Sequence, residues 1–202
     1  MLKPRKNELV LGVTGNIACG KSTVAGMFKT KDCLWINADY LGHDLVSGDT
    51  GVYKKIIKNF GAGILKSDKS IDRVRLAKIV FANPEVLAKF NAIVHPALIR
   101  QIKQLIRDSA KRIIILDAAL IVESGLIKIV DKLVVVVAKK KQQILRAQQS
   151  LGLTKKQVIL RMKSQISQKA KSRFADFIID NSSQISKTKK QVSKIRRQLW
   201  KS

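Results

Sequence analysis

Five short apolar runs punctuate the chain: Leu9–Thr14, Leu34–Ala38, Arg112–Asp117, Lys132–Ala138 and Phe177–Asp180. Within each run apolar residues follow one another with little alternation, as a strand covered on both faces requires. Between the runs, apolar positions return at helical spacing, in Val52–Phe60, Arg73–Phe81 and Pro84–Arg107. The alternation predicts an α/β domain whose five-stranded parallel sheet is joined by helical crossovers. Ligands of such sheets gather beyond the carboxyl ends of the strands. The residues just after each apolar run are therefore the first place to look for chemistry.

Two connections break the rhythm. The stretch from Asp39 to Lys111 is too long for one crossover. It reads as a helical excursion, about residues 41–110, that caps the site and holds a second substrate. A shorter stretch, Lys139 to Leu153, is rich in Lys, Gln and Arg, with Gly152 near its end, and suits a mobile lid. The remaining segments, about 1–40, 111–138 and 154–202, form the core of a single domain. In the basic tail, Ile185, Val192, Ile195 and Leu199 lie at helical spacing beside Trp200. Such a stripe predicts a terminal helix docked on the core; a nucleic-acid or membrane-surface helix is the alternative.

The first run leads into the most informative segment of the chain, Gly15-Asn16-Ile17-Ala18-Cys19-Gly20-Lys21-Ser22, with Thr23 opening a helical pattern. Strand, glycine-bounded loop and helix in this order form the context in which G-x-x-x-x-G-K-S binds phosphate. Loop amides and a helix N-terminus direct partial positive charge at one point. Lys21 then reaches the β- and γ-phosphates of ATP, and the Ser22 hydroxyl ligates Mg²⁺. Cys19 occupies a variable position of the loop. A small tolerated residue is the plain reading of it, and a reactive thiol the alternative.

Other strand ends add carboxylates. Asp39 follows the second run, where it serves as a group that orients and deprotonates an attacking hydroxyl, as a support for Mg²⁺ through water, or as an N-cap for Tyr40–Val46. Asp117 ends Ile113-Ile114-Ile115-Leu116-Asp117, a Walker-B pattern that supports Mg²⁺ from its second shell. Glu123 reads as a salt-bridge partner or a substrate contact. His95-Pro96 lies in the excursion and Arg146 in the lid, where an arginine can neutralise charge on a transferring phosphoryl group. Of Lys163, Lys169, Lys171 and Arg173, one or two are candidates to face the nucleotide and most read as solvated.

The net charge is +26, from 40 Lys and Arg against 14 Asp and Glu. Such a field draws anions of every kind. The lysines are scattered rather than confined to one block, and aromatic residues make up only 5% of the chain, so stacking platforms for single strands are not indicated. No nucleic-acid partner is required. The segment Met1 to Glu8 is short and charged with no apolar core after it, and Leu126–Ala138 is broken by Lys128, Asp131 and Lys132, so no membrane span is expected. Two lone cysteines without metal-ligand spacing suit a reducing cytoplasm.

Several segments together resemble the dephospho-CoA kinase family: Val13-Thr14-Gly15 through Ser22-Thr23-Val24, Asn37-Ala38-Asp39, Phe81-Ala82-Asn83-Pro84, His95-Pro96, Leu120-Ile121-Val122-Glu123-Ser124-Gly125, and Arg173 through Asn181. The resemblance implies a P-loop NTPase fold, three-layered and similar to the nucleoside-monophosphate kinases, with a helical CoA-binding excursion and a lid. It implies transfer of the ATP γ-phosphoryl to the ribose 3′-hydroxyl of dephospho-CoA. By the same resemblance Gly15 to Thr23 hold ATP and Mg²⁺, Asp39 is the base or orienting group, and His95, Leu120 and Glu123 contact the acceptor. Arg146 becomes the lid arginine and Asn181 opens the loop beside the adenine. The chain departs from the family pattern at Asn37 (usually Asp), at Asn16 and Ala18 (usually glycine-richer), at Ala119 (usually Pro) and near Ser150, where a second lid arginine is usual. Other readings of the same motifs are a P-loop kinase of nucleosides or nucleoside monophosphates and, since Asp39-Tyr40-Leu41-Gly42 spells D-x-x-G, a GTPase or a nucleic-acid-linked NTPase. No N/T-K-x-D guanine motif accompanies the D-x-x-G that the GTPase reading needs.

Overall fold

A computed structural model describes residues 9–47 and 50–200. The charged segment Met1–Glu8 lies outside the described residues. Five strands form one sheet: β1 (Leu9–Thr14), β2 (Cys33–Asn37), β3 (Ile113–Asp117), β4 (Lys132–Val137) and β5 (Phe177–Asp180). Their order is β2-β3-β1-β4-β5, and every pairing is parallel. β1 therefore sits at the centre, where its run of buried residues is explained by cover on both faces. The second strand is displaced by one residue from the expected Leu34–Ala38, because Ala38 already turns into a helix. Arg112 and Ala138 fall just outside β3 and β4.

The chain divides into two compact units. The first contains the sheet and comprises the described residues of Met1–Asn37 and Ser109–Ser202. Its helices are α1 (Lys21–Phe28), and, after a second unit numbered below, α6 (Lys140–Leu151), α7 (Lys155–Lys163), α8 (Gln168–Ser172) and α9 (Ile185–Leu199). One face of the sheet buries Leu11, Val13, Ile115, Val134 and Val136 against Val24 and Phe28 of α1 and Val192 and Ile195 of α9. Trp200 stacks on Phe28 at 6.1 Å between ring centroids. The basic tail is thus a docked helix, as its stripe predicted, except that Ile185 stays half exposed. The opposite face is packed so closely at Gly12 that an added Cβ would lie 2.9 Å from Val130 and 3.1 Å from Ile121.

The second unit, Ala38–Asp108, is all helical among its described residues apart from one bridge between Leu65 and Ile71. It contains α2 (Ala38–Ser47), α3 (Gly51–Phe60), α4 (Arg73–Ala82) and α5 (Pro84–Asp108). Thr50 caps α3 by accepting from the Tyr53 N–H, and Asp72 caps α4 by accepting from Val74 and Arg75. The core of this unit includes Val46, Val52, Ile56, Ile64, Ile71, Leu76, Val80 and Val94.

Candidate active site

The loop between β1 and α1 is shaped by close approach. An added Cβ at Gly15 would lie 2.5 Å from the Val136 carbonyl oxygen and collide with the Cys19 sulfur, so only glycine fits. Gly20 caps α1 with φ 91°, a left-handed conformation, and a side chain there would meet the Asn181 amide. Helix geometry leaves the first-turn N–H groups of α1 without an acceptor in their own helix, at the positive end of its dipole. Lys21 and Ser22, both half-buried, and exposed Thr23 stand at this end.

Lys21 is paired with a carboxylate. Its Nζ lies 3.6 Å from Asp117 Oδ1, and Asp117 is fully buried at the carboxyl end of β3. The Asn37 amide donates to Asp117 Oδ2 at 3.4 Å from the matching end of β2. An aspartate at position 37 would set two carboxylates against each other; asparagine supplies a donor instead. Cys19 is completely buried, and burial pushes its thiol up to about 11 against the pull of the Lys21 N–H. That environment makes it a packing residue rather than a nucleophile.

The back of the loop is held by residues that sequence reasoning missed. Gln165 accepts from the Ile17 N–H at 2.9 Å, and the Ile166 carbonyl accepts from the Asn16 side chain at 3.0 Å. Both lie in the short link between α7 and α8, where no periodicity marks them. Glu123 accepts from the Ile166 N–H at 3.3 Å and pairs with Lys171 at 3.1 Å. Lys171 also donates to the Ala119 carbonyl at 2.5 Å, which accepts from Thr14 at 3.1 Å. Lys171 is fully buried, and is thus an exception among the four basic residues, most of which read as solvated. Of the two readings of Glu123, the salt-bridge partner is the one these contacts display. Leu120 is half-buried, and its carbonyl accepts from the N–H and hydroxyl of Ser124.

A cavity of about 300 Å³ opens in front of the loop, lined by Gly20, Thr23, Arg146, Asn181, Ser183 and Ile185. Arg146, in α6, donates from Nη2 to the Asn181 carbonyl at 2.9 Å, while its buried Nη1 has no hydrogen-bond partner. The Asn181 side chain donates to the Cys19 carbonyl and accepts from Thr188, both at 2.9 Å. Exposed Ile185 thus lines this cavity rather than the core.

In the second unit Asp39 is exposed in the first turn of α2. Since α2 begins at Ala38, Asp39 is inside the helix and does not cap Tyr40–Val46 as one reading held. His95 is half-buried in α5, and the adjacent Pro96 lines a cavity of about 690 Å³ with Leu45, Val52, Ile93, Lys55 and Arg100.

A parallel sheet whose central strand empties into a glycine-shaped loop, with a lysine beside a buried strand-end carboxylate, is the construction of the P-loop kinases. Residues 9–187 match the family model described as dephospho-CoA kinase. A dephospho-CoA kinase of Aquifex aeolicus is 40% identical over 94% of this chain and 96% of its own length. The solved structure of a dephospho-CoA kinase from Campylobacter jejuni is 28% identical, with a TM-score of 0.65 over 94% of this chain and 96% of that one. A Thermus thermophilus crystal structure shares the fold at a TM-score of 0.78 and 23% identity, over 96% of this chain and 99% of that one. The chain belongs to the dephospho-CoA kinase family.

Proposed function

We propose that this chain transfers the γ-phosphoryl of ATP to the ribose 3′-hydroxyl of dephospho-CoA, giving CoA and ADP, the last step of coenzyme A biosynthesis. Membership of the family supports the reaction. The observation that carries the chemistry is the cradle at Gly15–Thr23 with Lys21 set against buried Asp117. The acceptor 3′-oxygen forms its bond to the γ-phosphorus as the bond from that phosphorus to the β,γ-bridging oxygen breaks. The electron pair leaves with ADP, and the hydroxyl proton passes to the Asp39 carboxylate, which also aims the oxygen.

Phosphoryl transfer asks mainly for positioning and for charge placed where it develops. The amides of Gly20 to Thr23 and the Lys21 ammonium take the β- and γ-phosphates. The unpartnered Nη1 of Arg146 is a donor in reserve beside Gly20 for the same phosphates. His95, Leu120 and Glu123 serve the acceptor side by family resemblance; in the case of Glu123 the role is indirect, through the link behind the loop. Oxygen donors suit Mg²⁺, and a carboxylate buried beside a cation sits where positive charge is welcome, so Ser22 and Asp117 fit it. When bound, the ion would neutralise negative charge on the triphosphate. The excursion at about 41–110 receives the acceptor, and the stretch at about 139–153, which includes α6, acts as the lid. Two free cysteines, both buried, favour the cytoplasm as its compartment. No helix among the described residues is long and apolar enough to cross a membrane.

Incubation with ATP, Mg²⁺ and dephospho-CoA should yield a product of CoA mass. Lys21→Ala should lower the rate by about 10²–10³-fold, the scale of losing one charge-stabilising donor. Asp39→Asn should lower kcat while leaving KM for ATP nearly unchanged. Phosphorylation of nucleosides but not dephospho-CoA would overturn the reading in favour of a nucleoside kinase.

A further inference from the structure

Helix α2 carries a polar stripe of which the proposed phosphoryl transfer uses only Asp39. Asp39, His43 and Ser47 recur every four residues, so they share one face and are spaced about 6 Å apart along the axis. Arg73, the first residue of α4, reaches this face. Its Nη2 donates to the Ser47 hydroxyl at 2.6 Å, and its Nη1 donates to His43 Nδ1 at 3.4 Å. A guanidinium only donates, so Nδ1 is the acceptor and the proton of the neutral ring resides on Nε2.

Burial and the neighbouring Arg73 hold His43 below its ordinary pKa, against the opposing pull of Asp39 and Asp44. The ring is therefore neutral at neutral pH. Neither of these two partners of Arg73 neutralises its charge. The nearby Asp72 carboxylate is occupied at the helix cap and by Arg75, whose Nε lies 3.1 Å away. The stripe thus presents a carboxylate at Asp39 and, one turn further on, a fixed cation together with an imidazole N–H.

We infer that Arg73 and His43 form the subsite for the acceptor's 5′-diphosphate. The inference rests on the reading that Asp39 receives the acceptor's 3′-hydroxyl. One ribose separates these two groups of dephospho-CoA, and one helical turn separates Asp39 from His43. A planar guanidinium with spare donors binds phosphate oxygens in pairs. The arrangement would favour a nucleotide acceptor over a free nucleoside, because an acceptor without the diphosphate leaves Arg73 unanswered.

Steady-state kinetics with ATP and dephospho-CoA test this. Arg73→Met should raise KM for dephospho-CoA about tenfold or more, the scale of a lost charged hydrogen bond, with KM for ATP and kcat within about twofold. Arg73→Lys should recover part of the loss by keeping the charge. Ser47→Ala, which releases the clasp on Arg73 but removes no phosphate ligand, should change KM for dephospho-CoA by less than Arg73→Met does. Should Arg73→Met fail to fold, His43→Gln reports in its place, with a smaller rise in KM for dephospho-CoA alone. An unchanged KM for dephospho-CoA, or a parallel loss in kcat and both KM values, overturns the subsite. Wild-type chain inactive on dephospho-CoA would instead overturn the reaction itself.

Discussion

Ala18 stands in the phosphate loop with φ 55°, in a region that residues with a Cβ enter at a cost of about 1–2 kcal/mol. Dephospho-CoA kinases usually carry glycine in this part of the loop, and here alanine accepts the strain. Ala18→Gly removes that strain but adds about 0.4–1 kcal/mol of chain entropy to the unfolded state. The net expectation is a gain of about 1 kcal/mol or less, and a melting temperature higher by about 2–4 °C per kcal/mol gained, measured by calorimetry. An equal or lower melting temperature would mean that the surrounding contacts relieve Ala18 of strain. Gly15 and Gly20 have no such latitude, because a Cβ there meets Val136, Cys19 or Asn181.

Among the elements, the link between α7 and α8 carries more than its length suggests. Fully buried Lys171 and half-buried Glu123 are partners whose contacts reach the phosphate loop through Ile166 and the end of β1 through Ala119. Removing one member leaves the other charge uncompensated, so Lys171→Met or Glu123→Gln alone should cost about 3 kcal/mol in urea unfolding. The double variant Lys171→Met/Glu123→Gln should cost clearly less than the sum of the two single variants, with a coupling of about 1 kcal/mol or more. Strict additivity would mean that the pair does not act as a unit. The strands were legible within a residue because a central parallel sheet writes itself as uninterrupted apolar runs. The Gly15–Ser22 loop was legible because its spacing has one chemical purpose. Lys171 was not: between Lys169 and Arg173 it has the surroundings of a solvated residue, and only the fold supplies Glu123, forty-eight positions earlier in sequence. Gln165 and Arg73 act through long-range hydrogen bonds, which leave no periodic trace.

For the whole molecule, the charge of +26 is spread over a surface that must attract two polyanionic substrates. Such a field raises encounter rates and is screened by salt, the Debye length falling from about 30 Å at 0.01 M to about 8 Å at 0.15 M. The expected result is that kcat/KM for both substrates falls severalfold across that range while kcat holds steady. A salt-independent kcat/KM would show that the charge has no part in capture. The grip of Gln165 and Ile166 on Asn16 and Ile17 sets the terms on which a captured nucleotide is received. A loop braced from behind before any ligand arrives has already surrendered its freedom once, while the chain was folding. On the proposed reading of this loop, each catalytic cycle then opens on a finished mould, and ATP need not spend its own affinity on casting it.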